Sequence, residues 1–417
     1  MADQSSTLAP PDRRQRFRSF MKRFNPIASA KAVINDGLIL QSAGRSVFKR
    51  LAAGADLNFG SQQLVVGGIG SGKTTELLLA QAELTAHEQL LPLYVDVTAE
   101  TDLTAVNSGA LLASLGLNLW DKIIFLDPTS EIVEVHNELS KLAYGYEEAV
   151  WVDGEPQHNE FIPYLEDTGA DFFHTINVPG KLKPPFPAIR RDVNQLAAYV
   201  SDFLGFLMTR GKEVVILFDG LDRLIKADQF WSVAEQDLRA LKPLEISVLV
   251  AGPLSIMYSQ GRQVKDYFDE VHYLPTAIAD PKKSPFLFEV LRLRGAEELM
   301  RPDHMQFLCL ASGGVLRDLI SLARSAGENA YIDDADQIDG FHVARSIEQL
   351  GNSYLLGLGT RQKAILQKLQ QSGSFAPSDS DSMELLVSPR VLEQSESRYE
   401  VHPALASVLP ASPSQPE

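Results

Sequence analysis

The chain has 417 residues, 45% hydrophobic and 22% charged, enough for roughly two or three folded domains. Its net charge of −16 argues against a broad nucleic-acid-binding surface, since phosphate contacts need clustered Lys and Arg. The single cysteine, Cys309, excludes a disulfide framework or a Cys-type zinc site, and with no bilayer-length apolar run and no secretory signal the expected compartment is the cytoplasm.

Residues 1–28 form a basic N-terminal arm, and 1–12 are expected to be disordered. Within the arm, Phe17, Phe20 and Phe24 recur at helical spacing among Arg13, Arg14, Arg16, Arg18, Lys22 and Arg23. One reading is an amphipathic arm for anionic lipid, nucleic acid or a partner; the favoured one is a helix that packs its phenylalanines on the domain and solvates its arginines. Being terminal and highly charged, the arm is expected to be dispensable for folding.

Residues 29–57 look helical and lead to Leu64-Val65-Val66, an apolar, β-branched run fit for a buried parallel strand. Next comes Gly67-Gly68-Ile69-Gly70-Ser71-Gly72-Lys73-Thr74-Thr75, the full phosphate-binding-loop spacing, followed by strong helix formers from Glu76 to Leu84. The glycines let several N–H groups point at one anion, and the helix dipole adds positive potential there. Lys73 would reach the outer phosphates, and the Thr74 hydroxyl would hold Mg²⁺.

A second strand covers Leu90–Val97, and Asn107–Trp120 reads as a helix. Residues 140–190 form an acidic insertion ending in a proline-rich run; His158 and His174 lie among its acids without helical ligand spacing, so a metal site there is the weaker reading. Asp192–Arg210 is a helix, and Glu213–Phe218 is a buried strand with Asp219 emerging at its C-terminal end. In open α/β sheets ligands bind at that edge, where an acid holds the metal of a bound nucleotide. Further strands are read at Ile246–Pro253 and Val271–Leu274, with Arg262 between them.

From 281 to 358 the pattern is helical, with Ser312-Gly313-Gly314-Val315-Leu316-Arg317 placing Arg317 in a helix's first turn. Residues 359–410 read as a helix at Arg361–Leu369, a Ser/Asp-rich loop at 373–382, strand-like runs at Leu385–Leu392 and Arg398–His402, and a final apolar run. That order suggests a reduced winged helix; residues 411–417 are expected to be a disordered tail.

Together these features resemble the AAA+/STAND division of phosphate-loop ATPases, and are most similar to bacterial origin-recognition-like members. The resemblance implies an α/β fold: a P-loop ATPase core over 29–280 with a parallel sheet flanked by helices, a helical lid over 281–358 and a winged-helix-like domain over 359–410. It implies ATP and Mg²⁺ as ligands, hydrolysis of the β–γ phosphoanhydride, Lys73 and Thr74 on nucleotide and metal, and Asp219 on the metal. It also implies Arg317 as a lid sensor of the γ-phosphate, and Arg262 as an arginine finger for a neighbouring subunit; a solvated surface arginine is an equal reading for Arg262. Many relatives carry Glu directly after the metal-binding Asp, where this chain has Gly220. Hydrolysis is therefore expected to be slow, with Asp222 either positioning water or pairing with Arg223 or a lid residue.

Two functions follow. The first is a nucleotide-dependent switch that self-associates through its ATPase domain or engages a protein effector, with bacterial antiphage defence as an analogy. The alternative is a DNA-associated loader or transposition-type regulator. The acids Asp379, Asp381, Glu384, Glu393, Glu396 and Glu400 in the winged-helix region disfavour the second, so nucleic acid is the less favoured partner and the module reads as protein-contacting or autoinhibitory.

Overall fold

The computed structural model describes residues 12–26, 30–40, 46–101, 103, 106–144, 151–152, 155–156, 192–224, 227–258, 264–395 and 398–409. Outside them lie Arg262, His158, His174, most of the acidic insertion, Glu396, residues 411–417 and all of the expected disordered start at 1–12 except Asp12, which caps the first helix.

Five parallel strands form the central sheet: β1 (Gln62–Gly67), β2 (Leu90–Asp96), β5 (Glu213–Asp219), β6 (Ser247–Pro253) and β7 (Glu270–Tyr273). Their order is β2-β5-β6-β1-β7, so β1 lies between β6 and β7 and the Asp219 strand lies between β2 and β6. Successive side chains point to opposite faces, and β1, β5 and β6 are apolar at consecutive positions, so the sheet buries both faces. Leu64, Val66, Ile216, Phe218, Val248 and Val250 join one hydrophobic cluster, while Val65, Val215, Leu217, Leu249 and Ala251 join another. The first cluster is completed by α6 (Ala110–Ile123), α7 (Ser130–Tyr144), α8 (Val193–Met208) and α9 (Ala227–Leu241); the second by α3 (Phe48–Leu57) and α4 (Lys73–Thr85). Short elements α2 (Ala30–Asn35), α5 (Val97–Glu100) and the hairpin β3 (Trp151–Val152) and β4 (Glu155–Pro156) complete this part.

The lid contains α10 (Phe286–Leu293), α11 (Pro302–Ala311), α12 (Leu316–Ile332) and α13 (Gly340–Leu355). Its core takes in Phe17 and Phe20 of the first helix, α1 (Arg13–Arg23), and Phe24, which caps that helix, together with Cys309, which is buried. Of the basic residues of α1, Arg14, Arg18 and Lys22 are exposed, while Arg13, Arg16 and Arg23 are partly buried. Arg13 donates to the carbonyls of Ala335 at 3.0 Å and Tyr331 at 2.8 Å, and Arg23 grips the Glu298 carboxylate with bonds of 2.7 and 2.6 Å. The expectation that this segment is dispensable is therefore corrected: α1 supplies aromatic core to the lid.

The C-terminal module comprises α14 (Thr360–Ser372), α15 (Ser380–Val387), the antiparallel pair β8 (Val391–Ser395) and β9 (Arg398–Val401), and α16 (Pro403–Ala406). Here the structure departs from the sequence reading. The Ser/Asp-rich segment is not a loop throughout, and residues 385–387 are helical rather than extended. Asp379 caps α15 by accepting from the Ser382 N–H at 2.9 Å, and the Ser382 hydroxyl receives the Asp379 N–H at 3.1 Å. Ser and Asp signal loops and helix starts alike, and here they start a helix.

Candidate nucleotide site

The glycine loop leaves the C-terminal end of β1 and runs into α4, whose first residue is Lys73. Gly72 precedes it at φ 102°, a left-handed conformation that a Cβ would strain. A Cβ at Gly68 or Gly72 would meet nothing within 4 Å, so the loop is open on those sides. The opening N–H groups of α4 have no intrahelical acceptor, which makes this end of the helix a donor set for an anion.

The Lys73 ammonium is buried and uses all three of its donors. It reaches the carbonyls of Gly67 at 2.9 Å and Gly68 at 3.0 Å, and the Asp222 carboxylate at 2.9 Å. Asp222 lies on a short 3-10 turn that follows β5. Among the described residues its ion-pair partner is Lys73, neither Arg223 nor a lid residue.

Asp219 ends β5 and is buried, accepting from the Tyr94 hydroxyl at 2.6 Å and from the Gly220 N–H at 2.8 Å. Burial pushes its carboxyl up from the usual range and neighbouring Asp222 adds to that, against the opposing pull of the hydrogen bonds from Tyr94, Thr74 and Gly220. Burial raises the Tyr94 phenol as well, reinforced by Asp219, Asp96 and Asp222. Asp96 ends β2 in register with Asp219, so three carboxylates converge at this edge of the sheet.

The lid closes over the loop. A Cβ on Gly70 would lie 2.8 Å from a Val315 methyl and 3.2 Å from the Arg317 Cβ, so the start of α12 rests on the glycine loop. The structure thereby brings Gly67, Gly68, Ile69, Gly70, Ser71, Gly72, Lys73, Thr74, Thr75, Asp219, Asp222 and Arg317 into one region. Arg317 is solvent-exposed. Its neighbour Asp318 is held by the Tyr354 hydroxyl at 2.5 Å and by His402 Nε2 at 3.1 Å. His402 Nδ1 accepts from the Ala404 N–H at 3.3 Å, so Nε2 carries the proton and donates to Asp318 and to the Ser312 carbonyl at 3.2 Å.

Tyr94, Asp96, Tyr354 and His402 are absent from the sequence-derived set. Tyr94 and Asp96 do alternate onto one face at the end of a strand, which is a readable signal. His402 meets Asp318 only through tertiary packing, and no local pattern announces it.

The glycine loop after the first strand of a parallel sheet, an acid at the end of a nearby strand, a helical lid and a winged helix define a phosphate-loop nucleotide-binding fold. No protein-family model matches the chain, and no curated protein matches it by sequence. Among solved structures it is similar to Aeropyrum pernix Orc1 in complex with DNA, at 16% identity over 88% of this chain and 84% of that one, TM-score 0.45. It is also similar to Cdc6p from Pyrobaculum aerophilum, at 12% identity over 93% and 95%, TM-score 0.44. A third similar structure is the Thermotoga maritima RuvB Holliday junction branch migration motor, at 14% identity over 88% and 93%, TM-score 0.40. At these scores the likeness carries no inference about activity. No helix among the described residues is long and apolar enough to cross a membrane.

Proposed function

We propose that this chain is an ATP-dependent switch that hydrolyses its nucleotide slowly and uses the lid to report which nucleotide is bound. The carrying observation is the contact of the α12 start, with Arg317, on Gly70 of the phosphate loop. In this reading the loop N–H groups and Lys73 hold the phosphates, with Asp222 yielding Lys73 to them. The donor set suits magnesium: the Thr74 hydroxyl and the Asp219 carboxylate are hard oxygen donors and would hold it, supplying charge neutralisation on the phosphates. Arg317 meets the γ-phosphate that ADP lacks, so ATP and ADP differ in affinity for the closed lid, and only such a difference can shift a conformational equilibrium. Self-association through the ATPase core and a protein effector are the partners this reading calls for; Arg262 as a finger toward a neighbouring subunit belongs to the same proposal.

The DNA-loader alternative has less support. Helix α15 carries the exposed Glu384 and the partly buried Asp381, which pairs with Arg361 at 3.3 Å, and the helix itself has no Lys or Arg; acid there repels phosphate.

Calorimetric titration with Mg-ATP and Mg-ADP tests the proposal. The wild type should bind both, Lys73→Ala should lose about tenfold or more in affinity for each, and Arg317→Ala should lose only the ATP-over-ADP difference in protease protection of the lid. A folded Lys73→Ala variant with wild-type affinity overturns the site. A folded Arg317→Ala variant that keeps the full difference overturns the switch.

A further inference from the structure

We infer that Asp96, at the end of β2, is the carboxylate that orients the attacking water in this site, a role that rests on the nucleotide reading above.

Gly220 follows Asp219 at the end of β5. Gly220 has φ 93°, and a Cβ built on it would lie 2.4 Å from the Thr98 methyl, 3.2 Å from the Thr98 nitrogen and 3.3 Å from Asp96 Oδ1. The chain therefore cannot place a carboxylate side chain from position 220 without moving Thr98 of α5. The space next to Asp219 is taken instead by Asp96 and Thr98.

Two other carboxylates flank the site. Asp219, the metal-side acid, accepts from Tyr94 and from the Gly220 N–H. Asp222 pairs with Lys73 here and is released when Lys73 turns to the phosphates. Asp96 differs. Its Oδ1 accepts from the Thr98 N–H at 3.0 Å and the Thr98 hydroxyl at 2.7 Å, which fixes the rotamer. Among the described residues Oδ2 has no hydrogen-bond or ion-pair partner, and the side chain is only partly buried. Register with Asp219 across β2 and β5 keeps Asp96 one strand from the metal-side acid. A carboxylate with one oxygen clamped and the other free, beside the acid at the end of the adjacent strand, has the form a water-orienting group needs.

In the step itself the water oxygen bonds to the γ-phosphorus as the bond from that phosphorus to the β–γ bridging oxygen breaks, the electron pair staying on ADP. The water's proton passes to the Asp96 carboxylate and from there to the departing phosphate.

Asp96 also caps α5, accepting from the Thr98 N–H. Asparagine caps as well as aspartate, so Asp96→Asn removes the charge and keeps the cap. The deciding measurement is binding of Mg-ADP with aluminium fluoride, which mimics the planar transferring phosphoryl group with its in-line water. Asp96→Asn should weaken that complex by about tenfold or more while ADP affinity stays within about twofold, and should lower turnover by about 100-fold at unchanged KM. A structural role alone would weaken both complexes together, and that result overturns the inference. Equal binding of the mimic by wild type and variant overturns it too, as does a wild type that binds ATP without turnover; both leave the nucleotide site standing. Asp222→Asn is the comparison, and loss of the transition-state mimic there but not in Asp96→Asn overturns the inference. A wild type that binds no nucleotide overturns the site itself.

Discussion

The residue after Asp219 shows how a single backbone conformation can redirect chemistry. At φ 93° Gly220 sits where any L side chain is strained by about 1–2 kcal/mol, before contact with Thr98 is counted. Installing the glutamate that many phosphate-loop motors carry at this point should therefore fail on two counts. Gly220→Glu is expected to lower stability by about 1–3 kcal/mol, read from the urea midpoint, because strain and a clash with Thr98 of α5 add. It should also leave ATP turnover no faster than wild type, since the new carboxylate cannot settle beside Asp219. A faster, fully stable variant would show that α5 yields easily and that Asp96 and Thr98 are not fixed as described.

At the scale of elements, α1 is the clearest case of sequence and packing agreeing on the residues while the consequence stays hidden. The Phe17, Phe20 and Phe24 stripe marks a buried face, yet nothing local names its partner. That partner is α12: a Cβ on Gly327 would lie 2.7 Å from the Phe20 ring, so the small residue admits the aromatic, and Phe20 stacks on Phe24 with centroids 4.4 Å apart. Phe20→Ala should cost about 3–5 kcal/mol, the range for a fully buried phenylalanine, and should destabilise the lid. Urea unfolding checks this, and a loss below about 1 kcal/mol would mean that α1 is a loosely held strap. The same contrast governs how much else is legible. The glycine loop and the strands β1, β5 and β6 are readable because their signals are local: fixed spacing in one case, a short continuous apolar run in the other. The helix at 380–387 is misread because Asp379 and Ser382 look identical in a loop and in a capping box. Asp96 and His402 are missed because their significance arises from residues far along the chain, Asp219 and Asp318, which only the folded sheet and the docked C-terminal module bring near.

Across the whole molecule, the winged helix is fastened to both the other parts. On the lid side, Arg390 donates to the Tyr354 carbonyl at 2.9 Å and the Leu356 carbonyl at 3.0 Å, and His402 reaches Asp318 beside Arg317. On the ATPase side, Glu393 of β8 accepts from the hydroxyls of Tyr258 at 3.1 Å and Tyr273 at 2.9 Å, while its carbonyl accepts from the Thr276 hydroxyl at 3.1 Å. Leu254 and Tyr258 of the ATPase core also share one hydrophobic cluster with the winged helix. Burial and the Glu393 charge raise both Tyr258 and Tyr273, so the phenols stay protonated and able to donate throughout the physiological range. Hydrogen bonds to a charged group contribute about 1.5–3 kcal/mol each, so Glu393 alone holds a sizeable part of this contact. Glu393→Ala should therefore loosen the winged helix from the ATPase core without unfolding either, because Leu366, Leu385 and Leu405 keep the module's own core intact. Small-angle scattering should show a larger radius of gyration, and limited proteolysis should cut sooner between the lid and α14, with Mg-ATP affinity unchanged. Tyr258→Phe with Tyr273→Phe should reproduce the effect, since it removes the donors and keeps the rings. If both variants match the wild type in scattering and proteolysis, the apolar contact through Leu254 holds the module by itself and the carboxylate is no latch.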